Sequence, residues 1–209
     1  MSDKNSKADN KRQAFWPGGT PIPRMPYSPA IKAGPWIFIA GQIATDFGPD
    51  GLAQECRGHP DLPNDRIQLR EQSAYTLKNI QQTIEGAGGN FDDHSVRIYQ
   101  WFVTPDQDRD GGTWVGDGFT ITPYLEERDR FLTRDRPAST GMGIRNLLVK
   151  DTVVEIDVML KTDTPKQQVA LDIPKALAGY SQGLISGDWV FTAGEHATDF
   201  VGDTGRSEY

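Results

Sequence analysis

Glu155 stands in the run TVVEIDVML, residues 152–160, where most neighbours are apolar. A carboxylate at the buried end of a strand has its charged form disfavoured, which suits general acid/base work. The alternative is an exposed position of a half-buried strand, because Glu155 and Asp157 fall on one face of it. Upstream, PASTG at 137–141 places two hydroxyls, Ser139 and Thr140, beside Gly141, where the backbone can offer N–H groups. DQDRDGG, from Asp106 to Gly112, opens like a calcium loop but has Asp117 where the bidentate glutamate belongs and a strand before it. It reads as an acidic loop. The three histidines, His59, His94 and His196, lack ligand spacing, so no metal is expected. Cys56 has no partner for a disulfide and no motif around it that marks a nucleophile. No glycine-rich phosphate loop and no Ser-His-Asp order is present, and no cofactor is expected.

These residues need strands and helices to hold them. WIFIAGQIA, from Trp36, is an apolar run typical of a buried strand, and YSPAIKAG before it ends in a Gly34-Pro35 turn, giving a β-hairpin. Leu69, Tyr75, Leu77, Ile80, Ile84 and Ala87 recur at threes and fours, which predicts an amphipathic helix over 65–87 with its stop at Gly88-Gly89. SVRIYQWFVT is a strand. Thr122-Pro123 reads as an N-cap with proline at the first helical position of a short helix over 121–132. RPASTGMGIRNLL and DTVVEIDVMLKT give the last two strands. The order β-β-α-β-α-β-β makes an α+β fold, a mixed sheet backed by two helices on one face.

The chain also repeats itself. YSPAIKAGPWIFIAGQIATDF begins at Tyr27, and YSQGLISGDWVFTAGEHATDF begins at Tyr180, an ungapped offset of 153 residues with 11 identities in 21 positions. The organisation read from this is a flexible tail over 1–24, a first module over 25–164, a linker over 165–178, and the start of a second, incomplete module over 179–209. A lone hairpin is marginal in water. The expectation is therefore that the natural chain continues, the rival being that the short segment pairs with a sheet in another subunit. Between the copies Gln42 becomes Glu195 and Ile43 becomes His196, which with Tyr180 marks either a second site or nothing.

A net charge of −7 and a pI near 5.0 argue against a nucleic-acid partner. No apolar run is long enough for a membrane helix, and the N-terminus lacks the apolar core of a secretion signal. With a single cysteine, this fits a cytoplasmic protein.

The words and their order resemble the RidA/YjgF family of enamine/imine deaminases. The matching residues are Tyr27-Ser28, Ala40-Gly41-Gln42, Gln72 with Leu77-Lys78-Asn79 and Ala87-Gly88, Pro137-Ala138-Ser139-Thr140-Gly141, and Val154-Glu155-Ile156-Asp157. The resemblance covers about 25–160 and restarts near 175. It implies a chorismate-mutase-like fold and a trimeric arrangement of modules in a homo-oligomer, with small-molecule clefts between neighbours. It assigns Glu155 to the glutamate that positions or activates water, and Tyr27 to a tyrosine at the cleft mouth. The alternative for Tyr27 is a core aromatic of the hairpin. The family's arginine, which clamps a substrate carboxylate, is replaced by Ser139. Ser139, Thr140 and Gly141 remain as hydrogen-bond donors, and Arg136 and Arg145 are the candidate substitutes, unless they are an ordinary loop charge and a strand-face residue.

The resemblance implies a hydrolytic deaminase of a small enamine or imine acid. Arginine-lacking relatives include deaminases of 2-aminomuconate-type intermediates of aromatic degradation. The competing reading is a non-catalytic ligand-binding or assembly module. The ribonuclease label that some relatives carry fits poorly with the acidic charge.

Overall fold

The computed structural model describes residues 11–21, 26–49, 51–57, 66–104, 121–172 and 178–195. Strands β1 (Gln13–Phe15), β2 (Ala30–Ala33), β3 (Trp36–Gln42), β4 (Ser95–Val103), β5 (Ala138–Ile144) and β6 (Val154–Lys161) form one sheet in the order β1-β2-β3-β6-β4-β5. Only β4 and β5 run parallel, so the sheet is mixed. Helix α1 (Arg66–Gly86), the one-turn α2 (Phe91–His94) and α3 (Thr122–Arg128) complete the module. The expected order of elements holds from β2 to β6.

One face of the sheet is the core. Ile37, Ile39, Ile98, Phe102, Val154, Ile156, Val158 and Leu160 alternate along their strands and meet Leu77, Ile80 and Ile84 of α1 and Tyr124 of α3. Two of the motif residues turn out to be structural. Gln72, fully buried in α1, accepts from the Val153 amide at 2.9 Å and donates to the Asp151 carbonyl at 2.8 Å, fixing the entry to β6. Asn79 Nδ2 donates to the Thr45 carbonyl at 2.7 Å and holds the exit from β3. Helix α1 stops where the left-handed Gly88, at φ 76°, is required.

Three expectations change. The tail includes β1, whose three residues pair antiparallel with β2. The linker includes β7 (Lys166–Gln168), which joins β8 (Gly183–Ser186) and β9 (Trp189–Thr192) in a second antiparallel sheet. Helix α3 begins at Thr122 with Ile121 as its N-cap, so Thr122 is not the capping residue. Short edge strands of this kind are made by the neighbour they pair with, and their own patterns are too brief to announce them. The acidic loop at 106–112 and His59 lie outside the described residues.

The repeated hairpin β8–β9 packs against its own first module. Leu184 and Phe191 bury against Val96 and Ala138, flanked by Trp36 and Met159. The Gly194 amide donates to the Ser139 carbonyl at 3.0 Å, and Ser181 bridges Ala138 in parallel. Among the described residues, no helix is long and apolar enough to cross a membrane.

Candidate functional site

The sheet face away from the helices gathers polar, aromatic and titratable side chains. Cross-strand register sorts it into rows running from β5 through β4 to β6: Ala138–Arg97–Met159, Thr140–Tyr99–Asp157 and Met142–Trp101–Glu155. Tyr99 and Trp101 stack with centroids 6.2 Å apart, and the Arg97 guanidinium lies 4.5 Å over the Tyr99 ring, which carries it one row toward Glu155. At the β3 edge, the register with β6 shifts between Ile39 and Gln42. This irregularity sets Gly41 so close to Glu155 that a Cβ there would collide with Oε1. Tyr27 lies near enough to feel the charge of the same carboxylate.

The electrostatics follow from partial burial without partners. Burial pushes the Glu155 carboxyl above its ordinary range. Asp157 is pushed up to about 6, first by burial and then by the Glu155 charge, with Arg97 pulling the other way. The Tyr27 phenol is raised by burial and then by Glu155, so it is a hydrogen-bond donor at neutral pH.

The expected site residues therefore fall into separate groups. Tyr27, Gly41 and Glu155 come together. Ser139 does not join them: it lies on the helix-backed face, in register with Ile98, and its hydroxyl donates to Gln100 Oε1 at 3.1 Å. Thr140 is on the open face, with its Oγ1 packed 2.8 Å from the position of a Cβ on Gly194. Gly141 is exposed on β5. Arg136 is not a stand-in for the missing arginine. Its guanidinium is spent on the Leu132 carbonyl at 3.1 Å, the Gly179 carbonyl at 3.0 Å and Asp129 at 3.1 Å. With Arg128, which also donates to the Gly179 carbonyl, it clamps the lead into the second hairpin. Arg145 is exposed, one residue beyond the end of β5 and away from the three rows.

In the second copy, Tyr180 and Glu195 are neighbours, and Glu195 adds to burial in raising the Tyr180 phenol. Tyr180 and Arg136 share the wall of a cavity of about 540 Å³ with Asp135, Gln168 and Leu171. This cavity is distinct from the Glu155 face. His196 lies outside the described residues. Cys56 is buried, and burial holds its thiol up at about 11, which leaves little thiolate for chemistry. Among the described residues, no group of three or more His, Cys, Asp or Glu side chains is arranged to hold a metal ion.

Sequence reasoning did not single out Arg97, Tyr99 and Trp101, which share this face with Glu155. The signal was there in SVRIYQWFV: a strand alternating Arg, Tyr and Trp against Ile, Gln and Phe offers one face that is not a core face.

A family model described as Endoribonuclease L-PSP matches residues 19–161. A RutC family protein of Pyrococcus horikoshii is 32% identical over 149 residues, covering 71% of this chain and 96% of that protein. Among solved structures, RidA from an Antarctic Psychrobacter sp. aligns with a TM-score of 0.51 at 23% identity, over 71% of this chain and 98% of that one. A Rid-family protein of Yersinia pestis aligns with a TM-score of 0.51 at 19% identity, over 73% of this chain and 100% of that one. At such identities the structural likeness speaks to the fold alone.

Proposed function

Because the chain belongs to the RidA/YjgF family, whose members are often imine deaminases, we propose that it hydrolyses the C=N bond of a small imine acid, or of the imine that an enamine acid forms when its β-carbon takes up a proton from water, and releases ammonia. The observation that carries this reading is the Glu155 carboxyl, half-buried, raised by burial, and seated against Gly41 and Tyr27. A carboxyl raised by burial is better suited to taking up and giving back a proton than an ordinary one.

Glu155 accepts a proton from water as the water oxygen bonds to the C=N carbon and the π pair moves to nitrogen. That proton passes from Glu155 to nitrogen. The second proton of the water follows the same route as the C–N bond breaks, leaving a carbonyl and ammonia. The Tyr27 phenol holds the substrate by a hydrogen bond and by its ring. Arg97 is the cation placed to hold the substrate carboxylate. It is on the same face as Glu155, its guanidinium is one row away, and its Nε is buried without a partner. A 2-aminomuconate-type enamine acid is the substrate to test first.

Proteins of this family are typically homotrimers. The second copy seats Ser181 and Gly194 on β5 of the first. By the repeat, Ser28 and Gly41 are suited to take the β5 of another module. The working site would then combine Tyr27, Gly41 and Glu155 with a Thr140-type strand from a neighbour.

The test is ammonia release from a panel of enamino acids by wild-type and Glu155→Gln protein, both checked for folding. Loss of general base catalysis predicts a drop of ~10²–10⁴. Equal rates would remove Glu155 from the chemistry. Ser139 in place of an arginine favours a second reading, a ligand-binding module without turnover. Substrate binding with no ammonia from any member of the panel would establish that alternative.

A further inference from the structure

We propose that Asp157 is a specificity-determining residue of the Glu155 site, selecting the protonated, iminium form of the substrate. This rests on the reading that Glu155 acts on a C=N bond. Glu155 and Asp157 are alternate residues of β6 on one sheet face, ~7 Å apart along the strand. Each lies beside an aromatic ring on β4, Trp101 and Tyr99 respectively. Among the described residues, neither carboxylate accepts a hydrogen bond or forms an ion pair. Two half-buried acids left without donors in this way are short of a cation.

Among the described residues, the surrounding groups supply it only in part. From β4, Arg97 faces Asp157 but rests on the Tyr99 ring. Lys161, further along β6, is bonded to Asp163 and Thr164. Tyr27 comes from the segment before β2 and is neutral at physiological pH. Phe38 from β3 and Thr140 and Met142 from β5 carry no charge.

An iminium nitrogen meets the need. Protonation makes the C=N carbon electrophilic, and the cation is held between the two acids and over the Trp101 ring. The charges also explain why two acids are required. Once Glu155 has taken the proton of the attacking water it is neutral, and Asp157 remains as the counter-ion. Arg97 and Asp157 side by side would then read a substrate with an anionic end and a cationic nitrogen.

Benzamidinium, a flat permanent cation, and benzamide, its neutral analogue, separate charge selection from turnover. Calorimetric titration of the full chain at pH 8 should show benzamidinium binding that weakens tenfold or more in Asp157→Asn, as expected for a lost charge-assisted hydrogen bond. Asp157→Glu should restore part of it, and benzamide should not distinguish the variants. Lowering the pH to 5 should weaken benzamidinium binding to wild type, as Asp157 takes up a proton, and should weaken it less in Asp157→Asn. Absence of benzamidinium binding, equal affinity in Asp157→Asn, or an equal loss for benzamide would each overturn the proposal. Asp157-dependent binding of benzamidinium with no ammonia from any imine would leave charge selection standing while the deaminase reading falls.

Discussion

The two hairpins, alike at 11 of the 21 repeated positions, are buried inside out relative to each other. In the first copy Ile37 is fully buried beneath α1 and Phe38 is 41% exposed. Their repeat equivalents reverse this: Val190 is 66% exposed and Phe191 only 6%. The residues at these positions are apolar in both copies, so the sequence equips each hairpin with two faces to bury. Each has found one cover. The first hairpin is covered by helices on one side, and the second by the sheet of the first module on the other. The seat that Phe191 occupies shows what kind of surface the open face around Phe38 is suited to meet. Exposed Phe38 and Met142 on that face, and Ile185 and Val190 on the outside of the second hairpin, are apolar surface without a cover among the described residues.

The largest effect on this comparison should come from Phe191. Removing it opens a cavity between Leu184, Val96 and Ala138 and weakens the seat of the second hairpin by ~3 kcal/mol. Phe38→Ala removes a ring that is 41% exposed and stacked on Trp36, and should cost only ~1 kcal/mol in the monomer. Amide exchange distinguishes them: Phe191→Ala should lose protection in β8 and β9 while β3 and β6 keep theirs, and Phe38→Ala should leave both patterns unchanged. If Phe38→Ala is as damaging as Phe191→Ala, the open face is covered in solution, and dilution should then reduce the difference.

The paired glycines sharpen the comparison further. Gly41 makes room for Glu155, and Gly194 makes room for Thr140. Gly41→Ala must push the Glu155 carboxyl aside. A displacement on the order of an ångström at a reacting group costs roughly 10²-fold in rate. Gly194→Ala should loosen the contact with β5, seen as a change in Trp189 fluorescence, while ammonia release at the Glu155 site changes far less. Equal loss of activity in both variants would mean that the hairpin–β5 junction, rather than the Gly41 face, holds the chemistry.

How much of this was legible depends on how local the cause is. Helix α1 and its stop at Gly88 were legible because period and left-handed turn are written in adjacent residues. Glu155 was legible as an acid in an apolar strand, and Asp157 as its companion on one face. Ser139 was legible as a missing charge but not as a residue turned to the helix side, because the face of an edge strand is set by its pairing with β4. The role of Arg136 could not be read at all. Its fork closes on the Gly179 carbonyl, 43 positions away, and nothing in RPASTG distinguishes that clamp from a ligand-binding arginine. The reversed burial of the hairpins was hidden for the same reason: similar words acquire different covers only in three dimensions.

The smallest expected effect concerns the stability of Asp157 itself. Its folded-state carboxyl titrates near 6, above the ordinary value of 3.8 that the unfolded chain retains. A raised acid lowers stability once it is charged. The cost is absent below about pH 4, grows between 4 and 6, and is complete above 6. Asp157→Asn removes a charge that the fold accommodates poorly, so it should be neutral to stability at pH 4 and stabilising at pH 7. A fully buried carboxylate raised this far would cost ~3 kcal/mol. This one is only partly buried, so ~1 kcal/mol is expected, or ~2–4 °C in melting temperature for a chain of this size. Thermal melts of both proteins at pH 4 and pH 7 decide it. A gain equal at both values would trace to packing and not to charge, and the Glu155–Asp157 face would lose its claim to be strained. A gain confined to neutral pH, together with weaker benzamidinium binding by the same variant, would show one carboxylate trading stability for recognition.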